Sequence, residues 1–274
     1  MPSPTEITVQ QLARLIGTPE APVLVDVCID DDFNADPRLI PGAMRHPFST
    51  IASLAAQLAG ARAVVICHRG KKLSQGAAAI LRDHGIAAET LEGGMVAWRA
   101  ADLPLVPAAK LPARNEDGRT VWVTRQRPKI DRIACPWLIR RFVDRNAQIL
   151  FVSPSEVRDV ADRYNATPFD IEDVHWSHRG EQCTFDTMID EFGLASGPLL
   201  HLAKIVRGAD TNRHDLAPEA AGLLAASLGL SRMFRDDLAQ LNAGMTLYDA
   251  FYRWCRDARE EGHDWPSALS DGKV

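Results

Sequence analysis

The residues with reactive potential fall into two groups. In the first, the apolar run of residues 63–66 ends at Cys67, and a polar loop follows, His68-Arg69-Gly70-Lys71-Lys72. Residues 73–83 are Ala-rich and predict a helix, closed by Gly85 just beyond it. A cysteine where a buried strand hands over to a loop and a helix start meets converging backbone N–H groups and the positive end of a helix dipole. Arg69, Lys71 and Lys72 add positive charge, and together these features favour the thiolate, the reactive form of cysteine. The pattern is that of a nucleophile. The plainer alternative is a small packed residue, since free cysteines are often buried and inert.

The second group lies past the middle of the chain. Pro136 suits the first turn of a helix, which would set Cys135 near a helix N-terminus among cations and lower its pKa. Arg125, Arg127, Lys129, Arg132, Arg140 and Arg141 exceed what solubility requires. They suggest an oxyanion or nucleic-acid phosphate site, with Lys129, Arg132 and Arg140 as its candidate residues; the alternative is a solvated face with ordinary ion pairs. His175, His178 and Cys183 cluster in sequence, with His201, Asp210 and His214 further on. Imidazole and thiolate suit a transition metal, although the spacing matches no standard zinc motif. His178 and Cys183 are the candidate ligands, and no other cofactor is implied.

The elements that must position these residues are read from periodicity. Thr8 is a plausible N-cap for an amphipathic helix, and residues 23–27 form a strand ending at Cys28. Ile40-Pro41-Gly42-Ala43 is a turn, residues 50–58 are helical, and residues 89–91 form a strand that turns through Glu92-Gly93-Gly94-Met95 into a helix holding Trp98. Strands alternating with helices predict a parallel sheet covered on both faces, with its ligand site at the carboxyl ends of the strands. Both Cys67 and Cys28 sit at such ends. If their strands are neighbours, Cys28 is a candidate resolving thiol for an oxidised or sulfurated Cys67. Residues 104–118 carry three prolines and no periodicity and read as a linker region. A new strand at residues 120–124 opens a second, mainly helical domain with a few strands.

Combined, Asp26-Val27, Ile40-Pro41-Gly42-Ala43, Cys67-x-x-Gly70 and Leu91-Glu92-Gly93-Gly94-Met95-Val96-Ala97-Trp98 resemble a rhodanese domain over residues 5–107. The resemblance implies a sulfurtransferase fold in which Cys67 takes sulfane sulfur as a persulfide and residues 68–72 cradle it. Cys28 stands where that family usually has an arginine after Asp-Val, and Leu39 stands where it usually has a histidine. A related phosphatase chemistry needs an arginine directly after the five-residue loop; Leu73 occupies that position and excludes it. Residues 127–142, His178-x-Gly180-x-x-Cys183-Thr184-Phe185 and Ile205-Val206-Arg207-Gly208-Ala209-Asp210 resemble the carboxyl-terminal domain of ChrB-type chromate-resistance proteins. That resemblance implies an association with chromate resistance and, in some members, with chromate-responsive transcription.

Composition bounds the reading. The 274 residues are 46% hydrophobic and 24% charged, the profile of a soluble globular protein. A net charge of −5 argues against a chain-wide nucleic-acid footprint. No apolar run reaches membrane-spanning length, and the first residues lack the pattern of a signal peptide. Five cysteines fit a reducing cytoplasm better than a disulfide framework. The expected organisation is a rhodanese-like α/β domain over 5–107, a linker over 108–118, a mainly helical α+β domain over 119–262 and a tail over 263–274. The expected function is sulfurtransfer through Cys67 from a small sulfur donor to an acceptor thiol, with Cys135 as a candidate acceptor. The second domain would bind a partner, a metal or an oxyanion such as chromate. The alternative is a chromate-responsive DNA-binding regulator with an inert first domain, its footprint the basic stretch 125–141.

Overall fold

The structure is a computed structural model and describes residues 5–262; the tail expected over 263–274 lies outside the described residues. The first half contains strand β1 (Glu6–Ile7), helix α1 (Val9–Leu15), β2 (Val23–Asp26), α2 (Asp30–Asn34), β3 (Arg38–Leu39), β4 (Ala43–Arg45), β5 (Arg62–Ile66), α3 (Lys72–Asp83), β6 (Ala87–Leu91), α4 (Gly94–Ala100) and β7 (Val106–Pro107). Thr8 caps α1 as its sequence position suggests. Its hydroxyl accepts the Gln11 N–H at 3.1 Å, and the Gln11 side chain accepts the Thr8 N–H at 2.9 Å.

Five strands form one parallel sheet in the order β1-β6-β5-β2-β4. β5 is central and almost wholly apolar, as expected of a strand with helices on both sides. Its alternate residues divide the core. Val65 and Cys67 pack with α3 and the 3-10 segment Phe48–Leu54 on one face. Val64 and Ile66 pack with α1 and α4 on the other.

The second half contains β8 (Val121–Arg125), α5 (Asp131–Phe142), β9 (Gln148–Val152), α6 (Val157–Tyr164), β10 (Thr167–Pro168), α7 (Thr184–Glu191), α8 (Gly197–Asp210), α9 (Ala220–Met233) and α10 (Asp237–Asp257). A small parallel sheet has the order β10-β8-β9. The chain leaves β8, returns through α5 to β9 on one side, then returns through α6 to β10 on the other. α5 starts at Asp131, five residues before Pro136. The proline is thus inside the helix, where its missing N–H forfeits one backbone bond, and Cys135 is not at the N-terminus.

The two halves share one hydrophobic core. Residues from α1, α4 and β7 lie in the same buried cluster as α5, α7, α8 and α10. Trp137 is its centre in the second half, with the rings of Phe142, Phe185, Tyr248 and Tyr252 at centroid distances of 5.4–6.3 Å. Directional bonds cross the same boundary. The Gly42 N–H donates to the Phe142 carbonyl at 2.6 Å, and Arg256 donates to the Arg14 carbonyl at 3.0 Å. No helix among the described residues is long and apolar enough to cross a membrane.

Candidate functional site

Cys67 follows the last residue of β5, at the carboxyl end of the sheet, and is 4% exposed. Its Sγ lies 3.2 Å from the hydroxyl of Ser74, which is fully buried in the first turn of α3. The loop 68–71 is moulded onto the start of α4. The Cys67 and His68 carbonyls accept the Met95 and Val96 N–H groups at 3.1 and 3.0 Å. These two bonds turn loop carbonyls towards α4. Residues 68–69 turn the loop back on Cys67. Arg69, Lys71 and Lys72 are exposed and enter no ion pair among the described residues, and His68 is half-buried. The thiol therefore sits at the head of a loop that carries three exposed cations without ion-pair partners, against the first turn of α3.

The other thiols do not join it. β2 and β5 are neighbours, with Asp26 opposite Ile66, so the strands of Cys28 and Cys67 adjoin as required. Their side chains enter different clusters on the two faces of the sheet, yet the Cys67 charge acts on Cys28. Burial, and then the Asp26 carboxylate, push the Cys28 thiol far upward, so it is held protonated. Cys135 corrects a sequence expectation. It is fully buried in the shared core, and burial followed by Asp131, Asp170 and Asp210 raises its pKa instead of lowering it. A thiol in that position cannot receive sulfur from Cys67, which faces the opposite side of the first sheet.

The proposed anion residues are also separated. Arg132 lies in the first turn of α5, 3.4 Å from Asp170, and donates to the Gln126 carbonyl at 3.0 Å. Arg140, about 12 Å along the same helix, reaches the Ala147 carbonyl and Asn242. Lys129 is exposed. Of the remaining arginines in this stretch, Arg125 pairs with Asp170, Arg127 with carbonyls of Ser231 and Phe234, and Arg141 with Asp249. The basic stretch 125–141 is therefore spent largely inside the fold, not displayed as a phosphate-binding face.

His178 and Cys183 do not converge either. Cys183 is fully buried as the N-cap of α7, where its N–H donates to Asp186 at 3.0 Å, and burial raises its thiol pKa. His178 instead faces three carboxylates. Its Nε2 is 3.5 Å from Asp131 Oδ2, 3.5 Å from Asp170 Oδ1 and 3.4 Å from Asp210 Oδ2. Hydrogen bonding to these carboxylates raises the His178 pKa, Asp131 contributing most. Burial raises that of Asp131, against His178 and with the neighbouring Asp210 and Asp170 charges. Asp170 is pushed up by burial, but His178, Thr184, Arg125 and Arg132 outweigh this and hold it low. Asp131 and Asp170 escape sequence reasoning; the signal available was that each lies just past the carboxyl end of a short strand, β8 or β10.

These two features, a cysteine loop at the carboxyl edge of a five-stranded parallel sheet and a helical half built on a three-stranded one, define a rhodanese-like α/β domain fused to a second domain of different architecture. Residues 8–101 match the family model of the rhodanese-like domain, and residues 122–255 match that of the ChrB C-terminal domain, so the chain carries regions similar to both. It is similar to Protein ChrB of Cupriavidus metallidurans, 32% identical over 169 residues, which cover 57% of this chain and 50% of that protein. It is also similar to an HTH-type transcriptional regulator of Mycobacterium tuberculosis, 37% identical over 84 residues, 30% of this chain and 36% of that one. The chain thus spans half or less of the length of these curated relatives. Among solved structures, it is similar to a rhodanese-related protein from Thermoplasma volcanium (22% identity, TM-score 0.32, 37% of this chain and 96% of that one). A thiosulfate sulfurtransferase from Pseudomonas aeruginosa is another (29% identity, TM-score 0.32, 38% and 19%).

Proposed function

We propose that the chain is a sulfurtransferase that carries sulfane sulfur on Cys67 and acts in resistance to chromate or oxidative stress. The observation that carries this reading is the Cys67 loop: a thiol at a strand end, heading a loop with three exposed cations without carboxylate partners. The Cys67 thiolate attacks the outer sulfur of a thiosulfate-like donor. A sulfur–sulfur bond forms on Cys67, the donor's own bond breaks, and its electron pair leaves with sulfite. The loop amides and cations stabilise the anionic sulfur as it forms. An acceptor thiolate or cyanide then attacks the outer sulfur of the persulfide and returns Cys67 as thiolate. The acceptor comes from outside the chain: Cys135, Cys183 and Cys255 lie in the shared core, and Cys28 and Cys67 enter opposite faces of the sheet. The link to chromate rests on the similarity of the second half to ChrB. Five free cysteines among the described residues support a reducing, cytoplasmic setting.

Thiosulfate:cyanide and thiosulfate:thiol assays on the wild type and Cys67→Ser test this. Wild-type turnover is expected, with a loss of about a thousand-fold or more in the variant. A variant as active as wild type would sink the mechanism. Absence of turnover in both, together with salt-dependent DNA binding insensitive to Cys67→Ser, would favour a regulator.

A further inference from the structure

The second domain places a potential ligand set at the point of its fold where a ligand site is expected. In β10-β8-β9 the central strand comes first in the chain, and its neighbours are added on opposite sides. The crossovers therefore diverge at the carboxyl end of β8, which opens a crevice between β8 and β10. Asp131 enters it from the first residue of α5, after β8. Asp170 enters from just beyond β10. His178 reaches it from the following loop, and Asp210 from the last residue of α8. Residues far apart in the chain thus meet around one nitrogen.

An ordinary ion pair does not account for the spacing. A protonated Nε2 has one hydrogen to give, yet three carboxylate oxygens surround it at 3.4–3.5 Å, all longer than a good N–H···O bond. The His178–Asp131 and His178–Asp170 separations match edges of a ligand tetrahedron, since bonds of about 2.0–2.2 Å to zinc place neighbouring ligand atoms about 3.3–3.6 Å apart. One donor atom each from Asp131, Asp170 and His178 lies within 4.8 Å of the others. The second observation is Asp131 itself. Its side chain is 1% exposed; Oδ2 faces His178, while Oδ1 of the same carboxylate has no hydrogen-bond partner. An unpaired carboxylate oxygen buried in protein is costly unless a cation or donor completes it.

The surroundings hold the carboxylates in place. The Thr184 N–H donates to Asp131 Oδ2 at 2.6 Å, and its hydroxyl donates to Asp170 Oδ1 at 2.9 Å. Arg125 and Arg132 take Asp170 Oδ2, which leaves Oδ1 turned towards His178. This is the outer support that orients ligands in metal sites. His178 is 42% exposed, so the crevice is open to an entering ion on that side. We propose that Asp131, Asp170 and His178 bind a divalent first-row transition-metal ion, zinc by the ligand spacing, through neutral His178 Nε2 and one oxygen of each carboxylate, with Asp210 beside His178 at the rim of the site. Cys183, capping α7, stays outside the ligand set.

The test uses the full chain, produced without a histidine tag. Metal analysis of protein grown with zinc is expected to find about one zinc per chain. Apo-protein titrated with Co²⁺ is expected to give the visible bands of four-coordinate cobalt without the near-ultraviolet band of thiolate ligation. His178→Ala and Asp170→Asn should each weaken zinc binding at least about ten-fold in calorimetric titration, with folding checked by circular dichroism. Wild-type protein that neither retains zinc nor develops the cobalt bands would overturn the proposal, whatever the variants do. A thiolate–cobalt band would also overturn it, by bringing Cys183 into the ligand set. The outcome is independent of sulfur transfer at Cys67, which can fail or succeed separately.

Discussion

Gly70 and Gly94 meet backbone to backbone. A Cβ on Gly70 would come within 2.9 Å of the Gly94 nitrogen, and one on Gly94 would strike the Gly70 nitrogen and the Cys67 carbonyl. Both residues have positive φ, 65° and 59°, a region that L side chains rarely adopt. The cysteine loop therefore owes its shape to the start of α4, some twenty-five residues on in the chain. The order Cys-x-x-Gly, then Gly-Gly before a helix, is the sequence trace of that contact.

Gly94→Ala should therefore damage both stability and chemistry. The methyl group has only backbone to push against, in the Cys67 carbonyl and the Gly70 nitrogen, so the loop or the helix must shift. We expect a loss of about 2–4 kcal/mol in urea unfolding and at least a ten-fold loss of thiosulfate:cyanide turnover on the order expected for loop misplacement. By contrast, the exposed Gly76 in α3, with nothing near its would-be Cβ, should accept alanine without loss. A Gly94→Ala protein with wild-type turnover would show that the loop does not depend on this contact.

Ser74 gives a finer probe of the same site. Its hydroxyl lies 3.2 Å from both Cys67 Sγ and the Lys71 carbonyl, so it can donate to sulfur when the thiol is ionised. Ser74→Ala should lower kcat/KM by roughly five- to thirty-fold, the worth of about 1–2 kcal/mol for one hydrogen bond to a charged group. The melting temperature should move little, because the backbone of α3 is unchanged. An unaltered kcat/KM would assign Ser74 to packing alone.

The first domain was legible in sequence because its site is local. Cys67 and its loop follow directly from β5, and Thr8, Gly70 and the Gly93-Gly94 turn each have a backbone reason to be where they are. The second site was hidden because it is assembled from four segments. His178 was visible as an imidazole, but nothing in its neighbourhood distinguishes the buried Cys183 from a ligand. Asp131 and Asp170 stand far apart in the chain until the sheet order places β8 and β10 side by side. Pro136 misdirected the start of α5, because proline suits a first helical turn yet is tolerated here five residues in. The basic stretch looked like a binding face for a similar reason: its partners, among them Asp170, Asp249 and the Ser231 carbonyl, come from distant segments.

Glu191 links the connecting segment to the second domain and makes its contribution pH-dependent. Its carboxylate pairs with Lys110, Arg179 and His175. Hydrogen bonds from Lys110 and then Arg179 hold its pKa down to about 2, below the ordinary 4.5. The folded state thus binds this proton less readily than the unfolded chain. The stabilisation is fully present above the unfolded pKa and is lost as pH falls towards the folded one. Glu191→Gln should lower stability at neutral pH by about 1 kcal/mol, because the partners are partly solvated. Melting curves of the two proteins should converge as the pH falls from about 5 towards 2. A difference that persists undiminished into acid would point to shape, not charge, at this position.

Asp249 sets the sharpest stability test, because one carboxylate serves two donors on α5. Its Oδ1 accepts the indole N–H of fully buried Trp137 at 2.8 Å and Arg141 Nε at 2.8 Å, while Oδ2 accepts Arg141 Nη2 at 2.7 Å. The fork is bidentate and mostly shielded, with side-chain exposures of 20% and 16%. Asp249→Ala leaves a guanidinium and a buried indole N–H without an acceptor, and removing one partner of such a set costs more than the pair itself contributes. We expect a loss of about 2–4 kcal/mol in denaturant unfolding. Asp249→Asn keeps an acceptor for Trp137 but gives up the charge and one arm of the fork, so its cost should fall near half of that. The next residue after Arg141, Phe142, carries the carbonyl that receives the Gly42 N–H from the first domain. Loosening the end of α5 should therefore be felt across the domain boundary. Hydrogen exchange at the Gly42 amide should speed up in Asp249→Ala, and exchange there at the wild-type rate would confine the effect to the second domain.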